Sequence, residues 1–270
     1  MKQNHTTVRF YRKRLPHWEV VDGRYFVTIR IHGAIPKAGQ QRIRSLRKQY
    51  EEAIDNGQQG FRERRAIFIE MERWLDRADS VDYLSRPHIA KTIVEAIAYR
   101  EHAGVWTMLA YTIMPNHVHL FFRLGSSDWQ IPSRCPDPSV ATARPSSRHV
   151  ESASGGSTCP LRQGTSIRRP TPSTDGLGVP TSKEPDSISE SSQRQSMEKV
   201  LRNFKTRTAR KANRILGHKG QFWQREWFDH WSRSHFEDNS IEQYIFNNPV
   251  KAKLVDSIKK WPYSGGSKYQ

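Results

Sequence analysis

The chain has 270 residues, with 44 Lys and Arg against 27 Asp and Glu, a formal net charge of +17 and a mean hydropathy of −0.80. That length supports a sizeable core and excludes a disulfide-framed mini-protein, while no apolar run approaches the ~18 residues of a membrane span. The basic N-terminal stretch lacks a secretory signal's apolar centre and cleavage site, and Cys135 and Cys159 have no zinc or disulfide spacing. A cytoplasmic, nucleoid-associated protein with no membrane partner is expected.

The stretch 125–196 differs from its surroundings: 17 Ser, 9 Pro, 6 Gly and 6 Thr fill 38 of its 72 positions, and no hydrophobic period runs through it. Such a composition cannot offset the entropy lost on folding, so a disordered insertion is expected there, dividing one folded domain into 1–124 and 197–270. The insertion holds 8 Lys and Arg against 7 Asp and Glu, leaving 36 against 20 for the rest. The basicity therefore belongs to the folded part. Interleaved with Trp and Tyr, it is the electrostatic footprint of a polyanion, and nucleic acid is the usual one; a solvated basic surface is the alternative.

Along the chain, Arg24 to Ile31 alternates with period two, as a half-buried strand does. Gln40 to Leu75 is helical in composition and broken near Asn56-Gly57, with Ile67, Met71, Trp74 and Leu75 at helical spacing in its second half. Ser85 is placed to cap a helix that carries Pro87 in its first turn, Ile89, Ile93 and Ile97 on one face, and Gly104 at its end. Trp106 to Ile113 and His117 to Arg123 read as a hairpin around Met114-Pro115-Asn116. Met197 to Leu216 reads as a basic helix stopped by Gly217, with Leu201, Phe204, Thr208, Ala212 and Ile215 inward. Phe222 to Trp231 reads as extended. Ser234 with Glu237, or Ser240 with Gln243, opens a last helix that Pro249 stops. The order predicts an α+β fold, a ferredoxin-like antiparallel sheet with helices packed on it.

His117 and His119 are the sharpest chemical feature. Residues two apart on a strand share a face, so both imidazoles can converge on one ion, with Val118 and Leu120 turned into the core and the histidines facing outward. Two imidazoles leave a coordination shell incomplete. Tyr244 and Asn248, four apart on a helix, can bring an amide oxygen and a phenol to the same ion. Two structural histidines and a packing tyrosine are the alternative.

Met114-Pro115-Asn116-His117-Val118-His119-Leu120 resembles the histidine-hydrophobic-histidine (HUH) motif of single-tyrosine transposases. Gln243 to Ala252 (QYIFNNPVKA) resembles their catalytic helix. Phe222-Trp223-Gln224, Phe228-Asp229-His230, Leu15-Pro16-His17-Trp18 and Trp261-Pro262-Tyr263-Ser264 resemble the REP-associated tyrosine transposase branch of that family. The resemblance implies His117, His119 and Asn248 as ligands of Mg2+ or Mn2+, and Tyr244 as the nucleophile on single-stranded or hairpin DNA. It also implies a 5′-phosphotyrosine link with a free 3′-hydroxyl, in a monomer or homodimer. Arg123, Arg202, Lys205, Arg207, Arg210, Lys211 and Arg214 are candidate phosphate contacts, and Trp223, Trp227 and Trp231 are candidates either to stack on bases or to pack in the core. A hairpin-DNA-binding protein without cleavage is the alternative, and a metal hydrolase using activated water is a third.

Overall fold

A computed structural model describes residues 7–12, 16–77, 81–125 and 196–267. The expected insertion, apart from its two end positions, lies outside these residues, as do both cysteines.

Three strands form the centre of the sheet. β3 (Arg24–Arg30) pairs antiparallel with β5 (His117–Leu124), and β5 with β4 (Trp106–Ile113). β6 (Phe228–Ser232) adds to the free edge of β3, and the short β7 (Ser264–Gly265) to that of β4, in the order β6-β3-β5-β4-β7. The first four of these carry the ferredoxin-like connection, because α3 (Pro87–His102) precedes β4 and α4 (Met197–Leu216) links β5 to β6. β1 (Thr7–Arg12) and β2 (Pro16–Val20) form a separate antiparallel pair that the sequence pattern did not reveal. α1 (Lys37–Asp55), α2 (Phe61–Leu75) and α5 (His235–Lys251) complete the set.

The two faces of the sheet have different covers. On one, Trp106 packs against Phe122 and Phe204, with ring centroids 5.2 and 5.5 Å apart, and the Trp106 indole donates to the Ile97 carbonyl, so α3 and α4 seal this side. On the other, Phe26 meets Phe68 of α2 and Tyr244 of α5 at 5.6 and 5.9 Å. With helices on both faces, β3 is buried over five consecutive residues rather than half-buried as its alternation suggested.

Several element ends differ from the sequence reading for local reasons. Arg86, not Ser85, occupies the N-cap of α3 and Pro87 is its first residue; Ser85 lies in a 3-10 turn and donates to the Asp82 carbonyl. Ile215 of α4 is 46% exposed, because the last turn runs past the sheet before Gly217 closes it at φ 62°. Strand geometry in the aromatic segment begins only at Phe228, with a single bridge from Trp223 to Ile31 before it. Pro249 lies inside α5, which continues to Lys251; it removes one donor near the end of a helix already held against the sheet by Ile241 and Ile245.

Ser234 is the cap of α5, its hydroxyl accepting from the Glu237 N–H at 3.2 Å, while Glu237 Oε2 accepts from the Arg233 N–H. Ser234→Ala should lower stability by about 1 kcal/mol in urea unfolding, and Ser240→Ala by much less.

Candidate metal centre

The register of β5 puts His117 opposite Arg30 and His119 opposite Thr28, so both imidazoles emerge on the α2 and α5 side. They do not face outward as the strand pattern implied: the two residues are 1% and 0% exposed. Their cover consists of Glu72 from α2 and Tyr244 and Asn248 from α5. Glu72 Oε2 lies 3.3 Å from His119 Nε2 and accepts the Tyr244 hydroxyl at 2.5 Å, and Asn248 Nδ2 lies 3.2 Å from the same imidazole nitrogen. The Tyr244 ring stands 5.4 Å from that of His119.

The bonds around His117 determine where its proton sits. Asn116 Nδ2 donates to the Leu75 carbonyl at 2.9 Å, which leaves Asn116 Oδ1 to accept from His117 Nδ1 at 2.6 Å. Nδ1 therefore carries the proton and Nε2 a lone pair. His119 Nδ1 meets the Thr28 hydroxyl at 2.9 Å, a partner compatible with the same tautomer. The two Nε2 atoms are 3.0 Å apart, so with His119 in the same tautomer two lone pairs face each other, an arrangement that a cation between them would relieve.

Two further oxygens match that need. Glu72 Oε1 and Asn248 Oδ1 are buried without a hydrogen-bond partner. Turning the Asn248 amide over would present its oxygen to His119 Nε2 in place of Nδ2. Ligand atoms of Glu72, His117 and His119 all lie within 4.8 Å of one another. Two imidazoles, a carboxylate and an amide oxygen form a donor set suited to a divalent first-row ion or Mg2+.

Electrostatics keeps these donors ready. Burial, reinforced by His119, pushes His117 down to about 3, so it is neutral at pH 7. For Glu72, burial alone favours the acid, but His119, His117 and the Tyr244 hydroxyl outweigh it and hold the carboxylate at about 2. Burial, and then the charge of Glu72, pushes the Tyr244 phenol well above its ordinary 10. Because Asn116 orients His117, Asn116→Ala should weaken Mn2+ binding about ten- to hundredfold in calorimetric titration, with the fold retained by circular dichroism.

The seating of Glu72 depends on α2. Two turns earlier on this helix, Arg64 donates to the Asp229 backbone oxygen and pairs with its carboxylate at 3.8 Å; that carboxylate also holds His17 of β2. Asp229 is thus a buried fastening between α2, β2 and β6. Glu72 escaped the sequence reading, although a carboxylate one turn after Phe68 and beside Met71, within the buried stripe of a charged helix, is the signal that could have found it.

No family model matches the chain, and no curated protein matches it. Among solved structures, that of a REP-associated tyrosine transposase bound to a REP hairpin is similar over 94% of this chain and 80% of that chain. The sequence identity is 12% and the TM-score 0.42.

The basic residues named from sequence lie elsewhere. α4 packs on the opposite face of the sheet from the histidines, and much of its charge is engaged. Arg202 pairs with Glu198 at 2.6 Å, Lys211 with Glu95 at 2.8 Å, and Lys205 donates to the Gln224 and Arg225 carbonyls. Arg210 and Arg214 are exposed and Arg207 is half-buried. Arg123 is exposed, on the histidine face but opposite Arg24 and Thr107, four residues beyond His119 and so about 13 Å along the strand. Trp223 and Trp227 are 4% and 5% exposed, which corrects the idea that they stack on bases: the Trp223 indole donates to Thr208 inside the core. Among the described residues, no helix is long and apolar enough to cross a membrane.

Proposed function

We propose that the chain cleaves and rejoins single-stranded or hairpin DNA in the manner of a single-tyrosine transposase, with Tyr244 as nucleophile. The observation that carries this reading is the Tyr244 hydroxyl, held at 2.5 Å by a carboxylate that itself borders two buried imidazoles. His117, His119, Glu72 and Asn248 would hold Mg2+ or Mn2+, which when bound polarises a phosphate oxygen and offsets the developing negative charge.

The chain's own groups do the rest. Glu72 Oε2 is the nearest base, and it takes the phenol proton as the bond from Tyr244 Oη to phosphorus forms. The bond from phosphorus to the 3′ oxygen breaks, and that oxygen leaves as a hydroxyl by taking a proton from solvent, to which Glu72 gives up the one it accepted, so that one proton moves in all. The product is a 5′-phosphotyrosine whose phosphodiester energy is retained, so a 3′-hydroxyl can reverse the step. Burial of the centre limits the water able to hydrolyse that link. Arg207, Arg210 and Arg214, with Arg123, are proposed to hold DNA phosphates away from the centre, and the net basicity of the folded part supports a DNA partner.

A second reading, a hairpin-DNA binder without cleavage, is favoured by one feature: the phenol's proton is unusually hard to remove. Labelled hairpin DNA with single-stranded flanks, incubated with protein and Mg2+ or Mn2+, separates the two. A protein–DNA adduct that survives SDS supports cleavage, and tight binding with no adduct supports the second reading.

A further inference from the structure

A cavity of about 440 Å³ opens beside Tyr244, on the side away from His117. Its volume is that of a small-ligand pocket, ~300–1,000 Å³. Phe26, Phe68, Phe228 and Tyr244 line it. Phe68 and Phe228 lie with centroids 4.8 Å apart and 33° between their planes, and Tyr244 closes the far side at 5.8 Å from Phe68. At the mouth, Phe61 is 51% exposed beneath the Arg233 guanidinium, 4.6 Å from its ring, and Arg65 is exposed alongside.

Arg64, held by Asp229, and the His230–Glu237 pair also border the cavity, so its free guanidinium charge lies at the mouth on Arg65 and Arg233, while the aromatic walls offer a flat apolar surface: the polarity of one nucleotide, a flat base inside and an anionic backbone outside. We propose that this slot takes an unstacked nucleobase next to the phosphodiester that meets Tyr244, with Arg65 and Arg233 on the neighbouring phosphates. The proposal rests on the DNA-cleaving reading above and adds how the strand is seated. Stacking of the base on the Phe walls holds its nucleotide, and the slot's position against the Tyr244 ring brings the adjoining phosphate to the hydroxyl. An exposed phenylalanine capped by an arginine then has a purpose, since it extends the stacking surface to the entrance.

The test walks a single abasic nucleotide through the flank of a fluorescent hairpin and measures binding by wild-type protein and Phe61→Ala. Phe61 is exposed and outside the reacting groups, so the variant should fold, which its melting curve checks. One position beside the cut bond should lose roughly 5- to 150-fold in affinity when its base is removed. Phe61→Ala should weaken the intact strand and add little further loss at that position. A flat abasic profile in a protein that still forms the adduct overturns the slot and leaves the cleavage reading intact. A single sensitive position coupled to Phe61, without any adduct, keeps the slot and removes cleavage. Absence of DNA binding overturns both.

Discussion

Tyr244→Phe should abolish the covalent adduct, lowering it by at least about 10³-fold, because loss of the group that forms the bond removes the whole covalent route. DNA and Mn2+ binding should stay within about twofold, since the phenylalanine ring can keep the edge contacts to Phe26, Phe68 and His119. Deleting the hydroxyl takes from Glu72 a bond to a charged acceptor, typically ~1.5–3 kcal/mol net. Adduct on a denaturing gel and mobility shift on a native gel measure the two quantities separately. Strand cleavage that persists in Tyr244→Phe would sink the tyrosine mechanism and point to an activated water.

His119→Ala should eliminate divalent-ion binding. In the wild-type protein an ion at 100 times its dissociation constant stabilises the fold by about 2.7 kcal/mol, a rise of roughly 5–10 °C in melting temperature for a domain of this size. That rise should vanish in His119→Ala and reappear on chelator-treated wild-type protein once Mn2+ is restored. Comparing Glu72→Gln with Asn248→Ala tells which oxygen completes the shell: whichever loses the Mn2+ shift is the ligand. Acid should act in the same direction. His117 falls from 6.5 unfolded to about 3 folded, and Glu72 from 4.5 to about 2, so the unfolded chain binds more protons between those values. Stability without metal should therefore be full above pH 6.5 and decline as pH falls below it. A urea midpoint no lower at pH 5 than at pH 7 would contradict the description of the centre.

Wherever a stretch's own periodicity set the outcome, it was legible. The bounds of β4 and α4 match the pattern from Trp106 to Ile113 and from Met197 to Leu216, and Gly217 ends α4 in the left-handed conformation that glycine favours. The i, i+2 spacing of His117 and His119 on a strand and the i, i+4 spacing of Tyr244 and Asn248 on a helix put each pair on one face. Both follow from backbone geometry alone.

What lay across those faces was not legible. Whether the histidines look into solvent or into protein depends on α2 and α5, which come from 45 residues before and over a hundred residues after them. The same applies to Trp223 and Trp227, whose burial depends on α4, and to Pro249, tolerated because α5 is anchored on the sheet. The sequence by itself determined the three central strands and the main helices, the paired imidazoles and the basic charge, since propensity, period and composition act over a few residues. Only the tertiary structure decided that Glu72 joins the centre, that Asn116 sets the His117 tautomer, and that the basic helix lies on the other side of the sheet. Those choices rest on contacts between distant segments, where burial and hydrogen-bond satisfaction select one packing from many that the local pattern allows.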